Sequence, residues 1–182
     1  DPFTSTACRL ATISARPGMP STLRGCCASM TYPLHAVLLF VHLAGVIVWL
    51  GGMVFAHFAL RPAAVLLLEP PVRLPLMAQA LGRFFRLVAV AVVAIVVSGW
   101  LLLARVGMAQ APVRWHVMLA LGLVMAAIFA FIYARLYPAL VEAVAAQQWQ
   151  VAGGSLNRVR GLVFVNLCLG FATVASAVMA RA

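Results

Sequence analysis

Four long apolar runs dominate the chain, and the stretches between them hold most of its arginines and prolines. The runs cover roughly residues 31–60, 81–103, 115–137 and 161–179. A helix that crosses a bilayer needs about 20 mostly apolar residues, and each run is long enough. Lipid offers no water to backbone N–H and C=O groups, so only helices or closed barrels can span it. Barrel strands would show short alternating segments of about 10 residues, which these continuous runs are not. Short connections leave neighbouring helices antiparallel. The pattern predicts an all-α integral membrane protein, an antiparallel four-transmembrane-helix bundle occupying 31–182. The first helix is expected to stop at Arg61-Pro62 and the third before Pro138, because proline breaks the helical hydrogen-bond ladder.

Residues 1–30 read differently. Asp1-Pro2-Phe3-Thr4 resembles a remnant of tag removal, and the rest of the stretch has no apolar core of its own, so a disordered N-terminal arm is expected. Met30 is a candidate native start. Cys8, Cys26 and Cys27 fall in this arm, while Cys168 in the fourth run reads as a small packing residue. Between the first two runs, the segment 62–80 mixes Val65-Leu66-Leu67-Leu68 with Glu69-Pro70-Pro71. Together with Arg83-Phe84-Phe85-Arg86 it is expected to lie at the headgroup level.

Composition sharpens the class. Of 182 residues, 65% are hydrophobic and 9% charged, against roughly 25% charged in an ordinary soluble domain; the mean hydropathy is +1.09. A net charge of +10 comes from 13 basic residues, all arginine, against 3 acids. The arginines stand singly or in pairs at the ends of apolar runs, marking water boundaries rather than a nucleic-acid surface. Arg61, Arg73, Arg83, Arg86, Arg135, Arg158 and Arg160 fall at one end of the predicted bundle, and Arg105, Arg114 and Arg181 at the other. With the arm left out of the count, this bias makes the first and third connections cytoplasmic. The partners implied are the lipid bilayer of a bacterial-type inner membrane, a redox partner or copper donor, and a second copy of the chain.

Ionisable groups inside a membrane mark functional sites by default. The spans hold no Asp or Lys, but they hold histidine. His35, His42 and Trp49 lie seven residues apart and so form one stripe along the first helix. Gly45 and Gly52 run beside it, where a missing side chain lets a flat ligand or a second backbone approach. His116 opens the third helix, which runs parallel to the first, so all three histidines share one half of the bundle. Two imidazoles could clamp one haem, and three could make a trigonal copper site. His57 lies about 22 Å beyond His42 along the helix, close to Arg61, and reads as interfacial. Met53, Met77, Met108, Met118 and Met125 form no close cluster and read as core. Asn166 must find a partner across the bundle or steady a histidine ring, and Ser98-Gly99 reads as a close helix contact. Hydrolase and kinase chemistry lack the residues they need, since Glu69 and Glu142 both lie outside the predicted spans.

The segment Leu34-His35…Val41-His42-Leu43-Ala44-Gly45…Val48-Trp49-Leu50-Gly51-Gly52-Met53 resembles the first helix of CopD-type membrane proteins, which are associated with copper resistance and uptake. It is also similar to HemJ-type protoporphyrinogen oxidases, which hold b-type haem. Their His, Trp and Gly pattern falls on His42, Trp49 and Gly52. Trp115-His116-Val117-Met118-Leu119-Ala120-Leu121 resembles a second segment of those oxidases, and Leu136-Tyr137-Pro138 and Asn157-Arg158-Val159-Arg160 suit the same superfamily. The resemblance implies haem b held by His42 and His116, with His35 as substitute ligand, Trp49, Gly45 and Gly52 shaping the pocket, and electron transfer as the task. The lysine assigned to the oxidases' reaction falls on Met118, so the resemblance carries haem ligation further than that oxidoreductase activity. The other readings left open are a copper carrier using His35, His42 and His116, and a membrane subunit without a cofactor.

Overall fold

The computed structural model describes residues 21–107 and 111–179, with side chains described for 33–107 and 111–178. Helix α1 spans Ser21–Phe55, and a π-helical turn, Ala56–Leu60, joins it to α2, Arg61–Leu67. Helix α3 runs unbroken over Pro70–Val106. The third span is α4, Val113–Phe131, a second π turn, Ile132–Leu136, and α5, Tyr137–Ala145. Helix α6, Trp149–Met179, completes the bundle. The four membrane spans are Pro33–Leu67, Pro70–Val106, Val113–Ala145 and Trp149–Val178. At about 1.5 Å per residue each approaches or exceeds 45 Å, longer than the roughly 30 Å hydrocarbon core. Helix ends therefore project beyond the hydrocarbon, or the helices tilt within it.

Several boundaries differ from the sequence expectation. Helix α1 begins ten residues before the expected start, so the last third of the arm is helical; residues 1–20 lie outside the described residues. The segment 62–80, expected as an interfacial stretch, is helical and continues two helices that turn at Leu68-Glu69. Pro70 and Pro71 suit the first turn of α3, where a missing N–H leaves no bond unmade. The expected stops at Pro62 and Pro138 are not stops. Each proline follows a π turn closed by an i→i−5 bond, Arg61 N–H to the Ala56 carbonyl and Tyr137 N–H to the Ile132 carbonyl. A wider turn before each proline lets the helix continue without the bond that proline cannot donate. The two turns fall at equivalent places in the first and third spans, at the same end of the bundle.

Around the bundle, α1 packs chiefly on α3 and α4 on α6, while α5 is wedged against α6 and α3. Spans one and three lie diagonally across from each other and meet through long side chains, as where Trp49 sits edge-on to Phe129 at 6.2 Å between ring centroids. The interior joins Trp49, Met53, Phe85, Val88, Met125 and Phe129 into one cluster. Outward faces are aliphatic: Phe40, Ile47, Leu66 and Val90 are all more than 70% exposed. In lipid such faces carry no penalty, and packing between helices rests on close backbone approach and van der Waals contact.

Glycines set the α1–α3 seam. A Cβ added at Gly45 would fall 2.7 Å from Ile95 Cγ1 and 3.2 Å from the Ala91 carbonyl oxygen. Gly52 faces the Phe84 ring just as closely. Gly45→Val is expected to cost about 1–3 kcal/mol through overpacking. The check is the unfolding temperature of the detergent-solubilised protein, with Gly51→Val as control, since nothing lies within 4 Å of a Cβ there. A drop at Gly45 and none at Gly51 is the expected result.

Candidate functional site

The α1–α3 seam brings two polar side chains, His42 and Ser98, together inside the lipid-spanning region. His42 is half-buried, and its Nδ1 lies 3.1 Å from the Ile95 carbonyl oxygen and 3.1 Å from Ser98 Oγ. A carbonyl only accepts, so the proton of a neutral ring sits on Nδ1 and is donated to Ile95. Ser98 is itself buried and donates its hydroxyl proton to the Ala94 or Ile95 carbonyl. That leaves an Oγ lone pair able to share the Nδ1 proton. Gly99 completes the cradle: a Cβ there would stand 3.1 Å from His42 Cε1. Nε2 makes no hydrogen bond to any described residue, so its lone pair is unengaged. Outer hydrogen bonds of this kind fix the tautomer and ring plane of metal-ligating histidines. Sequence reasoning marked Ser98-Gly99 as a helix contact but not as the mount for His42, because a helical stripe shows which residues share a face, not what they meet.

The other expected residues are arranged as follows. His35 is exposed on the same face of α1 as His42. His116, in the first turn of α4, is partly exposed, and its Nδ1 makes a long 3.4 Å contact with the Pro112 carbonyl. Among the described residues no three His, Cys, Asp or Glu side chains come together as a metal-binding group, so His35, His42 and His116 do not form a trigonal copper site here. Trp49 is a core residue, 4% exposed, packed on Phe129. Gly45 and Gly52, expected to line a porphyrin wall, are instead filled by Ile95 and Phe84, so the space beside the stripe belongs to helix α3. The open groove between α1 and α3 is lined by aliphatic side chains such as Leu38, Val41 and Val93, with Ser98 at its edge. Neither His42 nor His116 lines it. The residues present do not fit a haem clamped between His42 and His116 beside these glycines.

Remaining polar groups fall elsewhere. His57, in the first π turn, stacks on Phe164 at 5.2 Å, and its Nδ1 is buried without a hydrogen-bond partner. Asn166 is 2% exposed, and its Oδ1 also lacks a partner; the ring it was expected to steady is held by Ser98 instead. Met53 and Met125 are core residues, as their lack of clustering suggested. Cys168 is exposed on the outer face of α6, not packed inside as expected. Met108 lies outside the described residues, as do the side chains of the three arm cysteines. Trp100 and Trp115, where the second span ends and the third begins, are exposed, as suits rings at a membrane–water boundary.

Helices of this length and lipid-facing composition, four in succession and antiparallel, define a multi-pass membrane protein. Residues 78–180 match the family described as CopD, copper resistance protein D, and the chain belongs to that family. The match takes in most of α3 and all of α4–α6, with Ser98, Gly99 and His116, but begins after the helix that carries His35 and His42. No curated protein and no solved structure matches the chain.

The unpartnered Asn166 Oδ1 has a measurable consequence. An unmade buried hydrogen bond costs about 1–3 kcal/mol, so Asn166→Leu is expected to raise the unfolding temperature in detergent without added metal. A lower temperature would show that Asn166 makes a stabilising bond.

Proposed function

We propose that this chain is a copper-handling protein of an inner, plasma-type membrane, in which α1 presents a line of donors to Cu(I) as transported substrate. The observation that carries the proposal is the His42 mount: Nδ1–H held by Ile95 and Ser98, with the Nε2 lone pair left for a soft cation. Membership of the CopD family supplies the copper link. His35 lies about 10 Å before His42 on the same face, and Met53 about 16 Å after it. Imidazole and thioether both suit Cu(I). Single donors spaced along a helix bind weakly enough for release, which passage needs and storage does not. His116, at the same half of the bundle as His35 and His42, adds an imidazole near the boundary.

The haem-based electron-transfer reading rests on the similarity to the HemJ-type oxidases and on the same free Nε2. The filled glycines and the diagonal placement of spans one and three count against it. Met118 at the oxidases' lysine position removes the cation that their chemistry uses, so protoporphyrinogen oxidation is not proposed.

The test is metal analysis and absorption spectroscopy of protein purified in detergent and titrated anaerobically with Cu(I). Copper binding that is lost in His42→Ala, retained in His57→Ala and weakened roughly tenfold in Ser98→Ala is expected. A Soret band in the purified protein that disappears in His42→Ala would overturn the copper assignment in favour of haem.

A further inference from the structure

A second constellation occupies the opposite end of the bundle from His116. Arg61 opens α2, Arg73 lies in the first turn of α3, and Asn157 and Arg160 stand one turn apart on α6. Two consecutive helices and a third, distant in sequence, thus bring their side chains around one cavity of about 120 Å³, room for a group several times the size of a water. All three arginines are half-buried. Arg61 feels the repulsion of Arg160 and Arg73, and His57, four residues earlier, feels that of Arg160 and Arg61. The acids among the described residues are Glu69 and Glu142, and neither forms an ion pair with these arginines.

Like charges gathered in partial burial repel, and among the described residues no carboxylate pairs with them. Guanidinium forks donate paired N–H bonds to the oxygens of a tetrahedral oxyanion, and the Asn157 amide lines the same cavity. The remaining walls are aliphatic, with Val65, Leu74 and Leu156 among them. Next to Val65 on α2, Leu66 and Leu67 are 85% and 76% exposed toward the surroundings. We infer that this cavity is a phosphate site, in which Arg61, Arg73 and Arg160 hold the phosphate group of an anionic ester. An acyl-bearing phosphodiester suits both halves of the surface: its charge meets the arginines and its chains lie on the aliphatic wall, as in basic pockets between membrane helices that take lipid headgroups. Free phosphate shares the head chemistry and lacks the chains.

The experiment measures the unfolding temperature of delipidated protein in uncharged detergent during titration with phosphatidylglycerol, phosphatidylcholine or inorganic phosphate. The expected result is a rise with phosphatidylglycerol and little with phosphatidylcholine, whose own cation meets the arginines. An equal rise with inorganic phosphate supports the site with free phosphate as its occupant. The double variant Arg61→Gln/Arg160→Gln is expected to lose most of the rise. Arg160→Lys, which keeps the charge but not the fork, is expected to shift the titration midpoint roughly tenfold and reports on the site even if the double variant is not recovered. Arg83→Gln, at an exposed arginine of the same end, is expected to behave as the parent. Equal responses to the two lipids with none to phosphate, or an Arg83→Gln loss matching that of Arg160→Lys, would overturn the inference.

Discussion

The His42 ring lies within a bilayer-spanning helix because a second backbone comes near enough to satisfy one of its nitrogens, and that closeness is created by glycine. Gly45 and Gly52 on α1 bring the helix against Ile95 and Phe84, and Gly99 on α3 leaves room for the His42 ring. The Ile95 carbonyl and Ser98 hydroxyl then lie within reach of Nδ1. The Ile95 carbonyl is also an acceptor of the α-helical ladder, so the histidine uses its second lone pair and breaks no helix bond. What the seam leaves over, an imidazole with one nitrogen anchored and the other unengaged, is the feature on which the copper proposal depends.

The four spans were legible in the sequence because lipid demands length and apolarity above all, and both can be read directly from residue types. Where helices end was harder to read. Pro62 and Pro138 look like terminators, yet each follows a π turn that absorbs the missing donor and lets the helix run on to Leu67 and Ala145. Nothing in the residues of those turns announces a wider ring of hydrogen bonds, because a proline just beyond them can either end a helix or be accommodated by a widened turn.

The candidate site was half legible. A seven-residue spacing places His35, His42 and Trp49 on one face, and the structure keeps them there. A wheel of that kind is silent about the partner surface. It could not say that Gly45 and Gly52 receive Ile95 and Phe84 in place of a porphyrin, or that spans one and three stand diagonally. The arginine cavity was missed for a related reason: Arg61, Arg73 and Arg160 read as separate boundary markers until the hairpin turn at Leu68-Glu69 and the return of α6 bring them together. His35, His42 and His116 thus share one half of the bundle, while Arg61, Arg73 and Arg160 gather at the opposite end beside His57.

The central claim is that the α1–α3 seam holds His42 as a neutral ring protonated at Nδ1. Nitrogen-15 NMR of histidine-labelled protein in lipid, with His42→Gln used to assign the resonance, reads the tautomer directly and needs no bound metal. The account predicts a protonated Nδ1 and an unprotonated Nε2 for His42, with the Nδ1 shift displaced in Ser98→Ala. A proton on Nε2 of the metal-free protein, alone or as part of an imidazolium, would contradict it.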